Sequence, residues 1–121
     1  MGQSGDRFMT DNRIWLFDTT LRDGGQTRGV DFSHADKIAI SHALDDIGID
    51  YVEGGWPGAN PTDDAFFGNP PVLKNANMVA FGMTRRGGRS AANDPGLNAV
   101  LDAQVPATCL VGKTWDFHVE T

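Results

Sequence analysis

Four short apolar runs recur along the chain, and each leads into a polar stretch: Ile14-Trp15-Leu16-Phe17, Ile49 to Val52, Met78-Val79-Ala80-Phe81-Gly82-Met83 and Thr108-Cys109-Leu110-Val111. Runs this short, with no polar alternation, read as strands buried on both faces. Between the first two, Ser33 stands three residues before Asp36 as an N-cap and capping-box pair. Ile40, Ala43, Leu44 and Ile47 then follow at helical spacing before Gly48, which predicts a helix with those residues on its apolar face. A brief helix is expected over Asp63 to Phe67, interrupted by Pro70-Pro71, and another after Pro95 through Leu97, Val100 and Leu101. Strand, loop, helix and strand again imply a parallel sheet built from βαβ units, and so an α/β fold.

In parallel α/β folds, sites gather at the C-terminal ends of the strands. Here those positions hold Asp18 to Gln26, Glu53 to Asn60, Thr84 to Arg89 and Lys113 to His118. A barrel and a doubly wound sheet both fit this pattern, but the first loop lacks the glycine spacings of the common nucleotide-binding fingerprints. Ten Lys and Arg against sixteen Asp and Glu give a formal net charge of −6. With no basic run, that balance argues against a nucleic-acid partner. No apolar stretch approaches the roughly 18 residues of a membrane span. One cysteine, Cys109, excludes an internal disulfide, and the polar start Met1 to Asp6 lacks the regions of a signal peptide, so a cytoplasmic location is expected. Asp6 occupies the position where myristoylation at Gly2 wants Ser or Thr. Residues 1–12 read as a disordered or appended tail and 13–121 as the folded domain.

Asp18-Thr19-Thr20-Leu21-Arg22-Asp23-Gly24-Gly25-Gln26 sets a cation and two carboxylates at the mouth of the first strand. Asp23 can hold a hard or borderline divalent metal through oxygen, and the fork-shaped Arg22 can hold a carboxylate or a developing enolate. An Arg/Asp pair that merely caps the following segment accounts for the same residues, and spacing does not choose between the two. His118 reads either as a polar group of the site or as a surface histidine. Cys109, inside an apolar run, reads as a buried inert thiol rather than a nucleophile. Trp56, Phe66, Phe67 and Trp115 read as packing residues at the junctions of loops and sheet.

The segment Phe17 to Gln26 closely resembles the opening signature of the DRE-TIM metallolyases, which act on pyruvate-like 2-oxo acids and acyl-CoA and include the isopropylmalate, homocitrate and citramalate synthases. Glu53 to Pro61, Ala80 to Arg86 and Gly112 to Val119 are similar to the citramalate synthase branch of that family. The resemblance runs from about Ile14 to Val119 and departs mildly at Gly25, where relatives often carry Glu or Thr.

The resemblance implies the N-terminal half of a (β/α)8 barrel, with about four parallel strands and their helices. It implies that Arg22 binds the 2-oxo acid, that Asp23 is a ligand of a divalent metal ion (Mg, Mn, Co or Zn) beside the substrate, and that Gln26 lines the site toward the acyl-CoA. Glu53, at the end of the second strand, matches an acidic residue of the family's site. Arg85, with Arg86, Arg89 and Lys113, can attract the anionic substrate or the phosphates of CoA, or form a solvated loop. The expected substrates are pyruvate, or another 2-oxo acid, and acetyl-CoA, joined to give citramalate and CoA in isoleucine biosynthesis. The family's His-x-His metal ligands have no counterpart among His34, His42 and His118. A complete barrel takes about 250 residues, so the expectation is a partial barrel that is inactive by itself and belongs to a homo-oligomer, a homodimer in the first instance. Isopropylmalate or homocitrate synthase-like enzymes, a superfamily lyase or aldolase, and a non-catalytic half-barrel that binds or self-assembles are the alternatives.

Overall fold

The computed structural model describes residues 13–84, 88, 90 and 93–112. The tail at 1–12, and with it Arg85, Arg86, Arg89, Lys113, Trp115 and His118, lies outside the described residues. Strands β1 (Phe17–Asp18), β2 (Tyr51–Gly55), β3 (Asn77–Met83) and β4 (Ala107–Val111) form one sheet in the order β1-β2-β3-β4, and every neighbouring pair is parallel. Helices α1 (His34–Asp46), α2 (Pro61–Gly68) and α3 (Pro95–Asp102) make the crossovers, and a 3-10 turn spans Gly24–Gln26. Sequential strand order with a helix in each crossover is the pattern of an α/β barrel wall.

Local chemistry explains each helix start. Ser33 Oγ accepts the Asp36 N–H and the Asp36 carboxylate accepts the Ser33 N–H, closing the capping box ahead of α1. Asn60 caps α2 and Asp94 caps α3, each followed by proline in the first turn, where a missing N–H has no consequence. Gly48, at φ +93°, takes the left-handed conformation that ends α1.

The core lies between the sheet and its helices and gathers Leu21, Val52, Phe66, Phe67, Ala76, Met78, Ala80 and Val100. Phe66 and Phe67 are therefore core residues rather than junction packing, and they meet edge to face at 5.3 Å. Gly54 and Gly82 let helices approach the sheet: a Cβ on Gly54 would stand 2.6 Å from Phe66, and one on Gly82 would stand 2.6 Å from Val100.

The first and fourth apolar runs are not buried on both faces: β1 keeps only Phe17 and Asp18, while Ile14 is 77 % exposed and Trp15 to Phe17 are exposed too, and in β4 Thr108, Leu110 and Val111 are exposed. Among the described residues β1 has a strand neighbour on one side only, and polar bonds fix its approach. Asp50 accepts the Leu16 N–H and pairs with Arg13 at 2.8 Å, and Leu16 O accepts the N–H groups of Asp50 and Tyr51. Helix α1, in turn, does not bury the face read from its apolar spacing. Its buried residues are Lys37, Ser41 and Asp45, with Ile38, Ile40 and Leu44 partly buried beside them, while Ala43 and Ile47 are exposed.

Asp45 shows why a charged residue belongs inside. Its two oxygens accept the N–H groups of Lys74, Asn75 and Ala76 at 2.6–2.8 Å, so one carboxylate satisfies the backbone of the turn that feeds β3. Burial pushes its pKa up, but the N–H groups of Ala76, Lys74 and Asn75 and the nearby His42 outweigh this and hold it below 3.8. A lowered folded pKa means that the stabilisation is complete above the unfolded value and fades as pH falls through the folded one. Asp45→Ala strands these donors and is expected to destabilise the chain by about 3 kcal/mol at neutral pH. Urea unfolding at several pH values is expected to show that the difference from wild type narrows below pH 3.8.

Candidate functional site

The turn after β1 is built by its own short polar residues. The Asp18 carboxylate accepts both the N–H and the hydroxyl of Thr20, at 2.8 and 3.1 Å. Thr19 O then accepts the N–H groups of Arg22, Asp23 and Gly24. Asp18 is thereby committed to holding the loop. Leu21, 2 % exposed, drives the loop into the core and leaves Arg22 and Asp23 at the C-terminal mouth of the sheet.

Arg22 and Glu53, 31 residues apart, meet there: Nε donates to Oε1 at 2.7 Å. Glu53 is 1 % exposed, so its charge is balanced by Arg22 in a setting where an unpaired carboxylate would be costly. The guanidinium carbon lies 4.1 Å above the Phe81 ring centroid, and Trp56 meets the same ring edge to face at 5.1 Å. An ion pair from one side and an aromatic face from another fix the guanidinium plane. Among the described residues its terminal nitrogens make only a 3.7 Å approach to Asp23, so that end of the fork is available to a carboxylate or a ketone oxygen. The Asp23 side chain is 66 % exposed.

Beside Arg22 opens a pocket of about 260 Å³, with Gln26, Phe32, Trp56 and Asn60 on its wall and Lys37 and Asp63 at its back. Arg22 thus pairs with Glu53, approaches Asp23 and shares the pocket wall with Gln26, whereas Arg85 lies outside the described residues. Three contributors were not expected. In the sequence Phe81 reads as part of a strand and of a branch-like segment with no role of its own, and Lys37 and Asp63 read as helix. The legible signal was the spacing of Lys37, Ser41 and Asp45, three polar residues four apart that make one helical stripe.

Cys109 is half-buried rather than buried, and its thiol stands beside Glu53. Burial, the Glu53 charge and a hydrogen bond to Glu53 raise its pKa above 9.0, against a smaller lowering by Arg22. A raised pKa lowers the thiolate fraction that could act as a nucleophile. Among the described residues no three His, Cys, Asp or Glu side chains converge as a metal cage, so Asp23 offers one hard oxygen donor and not a complete site.

Parallel strands, helical crossovers and a charged cluster at the strand ends define a protein of the α/β-barrel class. Residues 13–107 match the HMGL-like family, and the chain belongs to it. The chain is similar to the (R)-citramalate synthase of Aquifex aeolicus, 48 % identical over 109 residues, and to that of Streptomyces coelicolor, 49 % identical over 113 residues. These alignments cover 88 % and 91 % of this chain and 21 % of each relative. A 2-isopropylmalate synthase of Listeria monocytogenes is 34 % identical over 109 residues, 89 % of this chain and 20 % of that enzyme. The chain thus spans about a fifth of the length of the curated relatives it matches.

Substitution of Glu53 by Gln keeps the shape and removes the charge that holds the Cys109 proton. Wild-type Cys109 is expected to react with iodoacetamide at pH 8 more slowly than a free thiol, because a raised pKa lowers the thiolate fraction. Glu53→Gln is expected to speed that alkylation severalfold, as followed by mass spectrometry.

Proposed function

We propose that this chain contributes the first strands of the barrel of a citramalate synthase, which condenses acetyl-CoA with pyruvate and water to give citramalate and CoA. The observation that carries the reading is the Arg22–Glu53 pair at 2.7 Å, with Arg22 laid on Phe81 and its fork turned to the mouth of the sheet beside Asp23. The choice of branch is supported by identities of 44–49 % to (R)-citramalate synthases against 34 % to a 2-isopropylmalate synthase over a comparable length.

On this reading the terminal nitrogens of Arg22 bind the carboxylate and the ketone oxygen of the 2-oxo acid. As the carbonyl is attacked, charge gathers on that oxygen, and a cation already oriented there stabilises it without reorganising. Glu53, enclosed and paired, acts through Arg22 as a positioning residue rather than at the reacting atoms. Trp56 and Phe81 keep water from one side of the guanidinium, and exposed Gln26 on the pocket wall faces the route of the acyl-CoA. Asp23 provides one carboxylate to a divalent metal, whose chemistry when bound is Lewis-acid polarisation of the carbonyl. None of the described residues stands out as the base that takes the acetyl methyl proton.

Calorimetric titration with pyruvate tests the substrate. Replacing Arg22 with Gln removes charge-assisted bonds and is expected to weaken binding by roughly ten- to a hundredfold. Pyruvate is expected to bind more tightly than a branched 2-oxo acid; the reverse order would favour the isopropylmalate synthase branch. Mn2+ binding is expected to be lost in Asp23→Ala, and unchanged affinity would remove that ligand assignment. The 121-residue chain alone is expected to release no CoA thiol from acetyl-CoA and pyruvate, and substantial release would overturn the view that it does not turn over by itself.

A further inference from the structure

Lys37 is 4 % exposed, and all three of its ammonium protons have an acceptor. Nζ lies 3.0 Å from Leu21 O, 2.7 Å from Gly54 O and 2.7 Å from Asp63 Oδ1. Asp63 is held in turn by the Trp56 N–H on its other oxygen and caps itself against Asn60 through its own N–H. The two carbonyls are not arbitrary ones. Leu21 immediately precedes Arg22, and Gly54 immediately follows Glu53. The register between β2 and β3 shifts between Glu53 and Gly55, a bulge centred on Gly54, whose carbonyl faces Lys37. One buried ammonium therefore joins the two backbone segments that carry the Arg22–Glu53 pair.

We propose that Lys37 is a positioning residue for the 2-oxo acid site: through Leu21 O and Gly54 O it sets the separation of the loop after β1 and the end of β2, and so the orientation of the Arg22 fork. A 2.7 Å charge-assisted bond between side chains from two elements persists only while those elements keep their spacing to within a few tenths of an ångström. The Arg22–Glu53 bond cannot supply that spacing alone, because both of its partners are side chains with rotameric freedom. The Lys37 contacts act on the backbone itself, where a shift moves the whole side chain. Asp63 is the counter-charge that allows an ammonium to remain in this enclosed place. Its hold on the Trp56 N–H ties the aromatic wall of the pocket to the same centre.

The ligand part of this inference rests on the proposed 2-oxo acid function; the geometric part does not. Nitrogen-15 spectra of the Arg Nε–H groups, with the Arg22 signal assigned by its loss in Arg22→Gln, read the geometry directly. In wild type the Arg22 Nε–H is expected downfield and slow to exchange. In Lys37→Met, with the fold verified by circular dichroism, exchange is expected to quicken at least tenfold, and pyruvate affinity is expected to drop by roughly ten- to a hundredfold, as for other displacements of a binding group. Asp63→Asn, which keeps the lysine and its carbonyl bonds, is expected to show a smaller change in the same direction, and it decides the matter if Lys37→Met does not fold. A folded variant with a lower melting temperature but an unchanged Arg22 signal would make Lys37 a strut only and overturn the proposal. Absence of pyruvate binding in wild type would remove the functional reading and leave the Nε–H result to decide the positioning role.

Discussion

A buried ammonium is among the most demanding groups a fold can enclose, and this structure is arranged around one. Lys37 rises from the first turns of α1 to a point where the loop after β1, the end of β2 and the start of α2 converge. Each of those segments presents an oxygen to it. The demand runs both ways, because a carbonyl at a bulge and a carbonyl in a tight loop also lack regular ladder partners and are satisfied by the same cation. Hydrophobic burial of Leu21, Val52 and Phe66 supplies the enclosure, and the polar centre determines where the segments stop relative to one another.

The site inherits its order from that centre. Arg22 and Glu53 sit one residue away from the two anchored carbonyls, and Phe81 supplies the face on which the guanidinium rests. Asp18, which reads in the sequence as a possible chemical group, serves instead to fold the turn that presents Arg22 and Asp23. Short-range polar bonds thus shape the loop, and longer-range ones fix its position. What reaches the mouth of the sheet is a fork of fixed plane next to an exposed carboxylate, in a chain of the HMGL-like family.

Much of this was legible where the cause is local. The capping box at Ser33 and Asp36, the stop at Gly48 and the four strands follow from neighbours a few residues apart; the structure places β3 and β4 within a residue of expectation, while β1 is shorter and β2 is shifted two to three residues onward. Apolar spacing failed on α1 because its inward positions are polar, with partners 16 to 31 residues away in sequence for Lys37 and Asp45. Helical periodicity counts hydrophobic residues and has no means of knowing that a lysine has been provided with acceptors. It also failed on Ile14 to Leu16, whose burial depends on whether anything covers them and not on their own character. The Arg22 and Asp23 assignments came from the resemblance, since an Arg/Asp pair in a loop is chemically ambiguous until its neighbours are known.

The Asp45 clamp carries an implication for how the chain acquires its shape. It joins the last turn of α1 to the entry of β3 across 29 to 31 residues, and Lys37 closes loops of 16 and 17. Loop-closure entropy rises only slowly with length, so closing loops of this size costs little more than closing shorter ones. Polar anchors placed at both ends of one helix therefore tie the loop after β1, the end of β2 and the entry of β3 to the docking of that single helix.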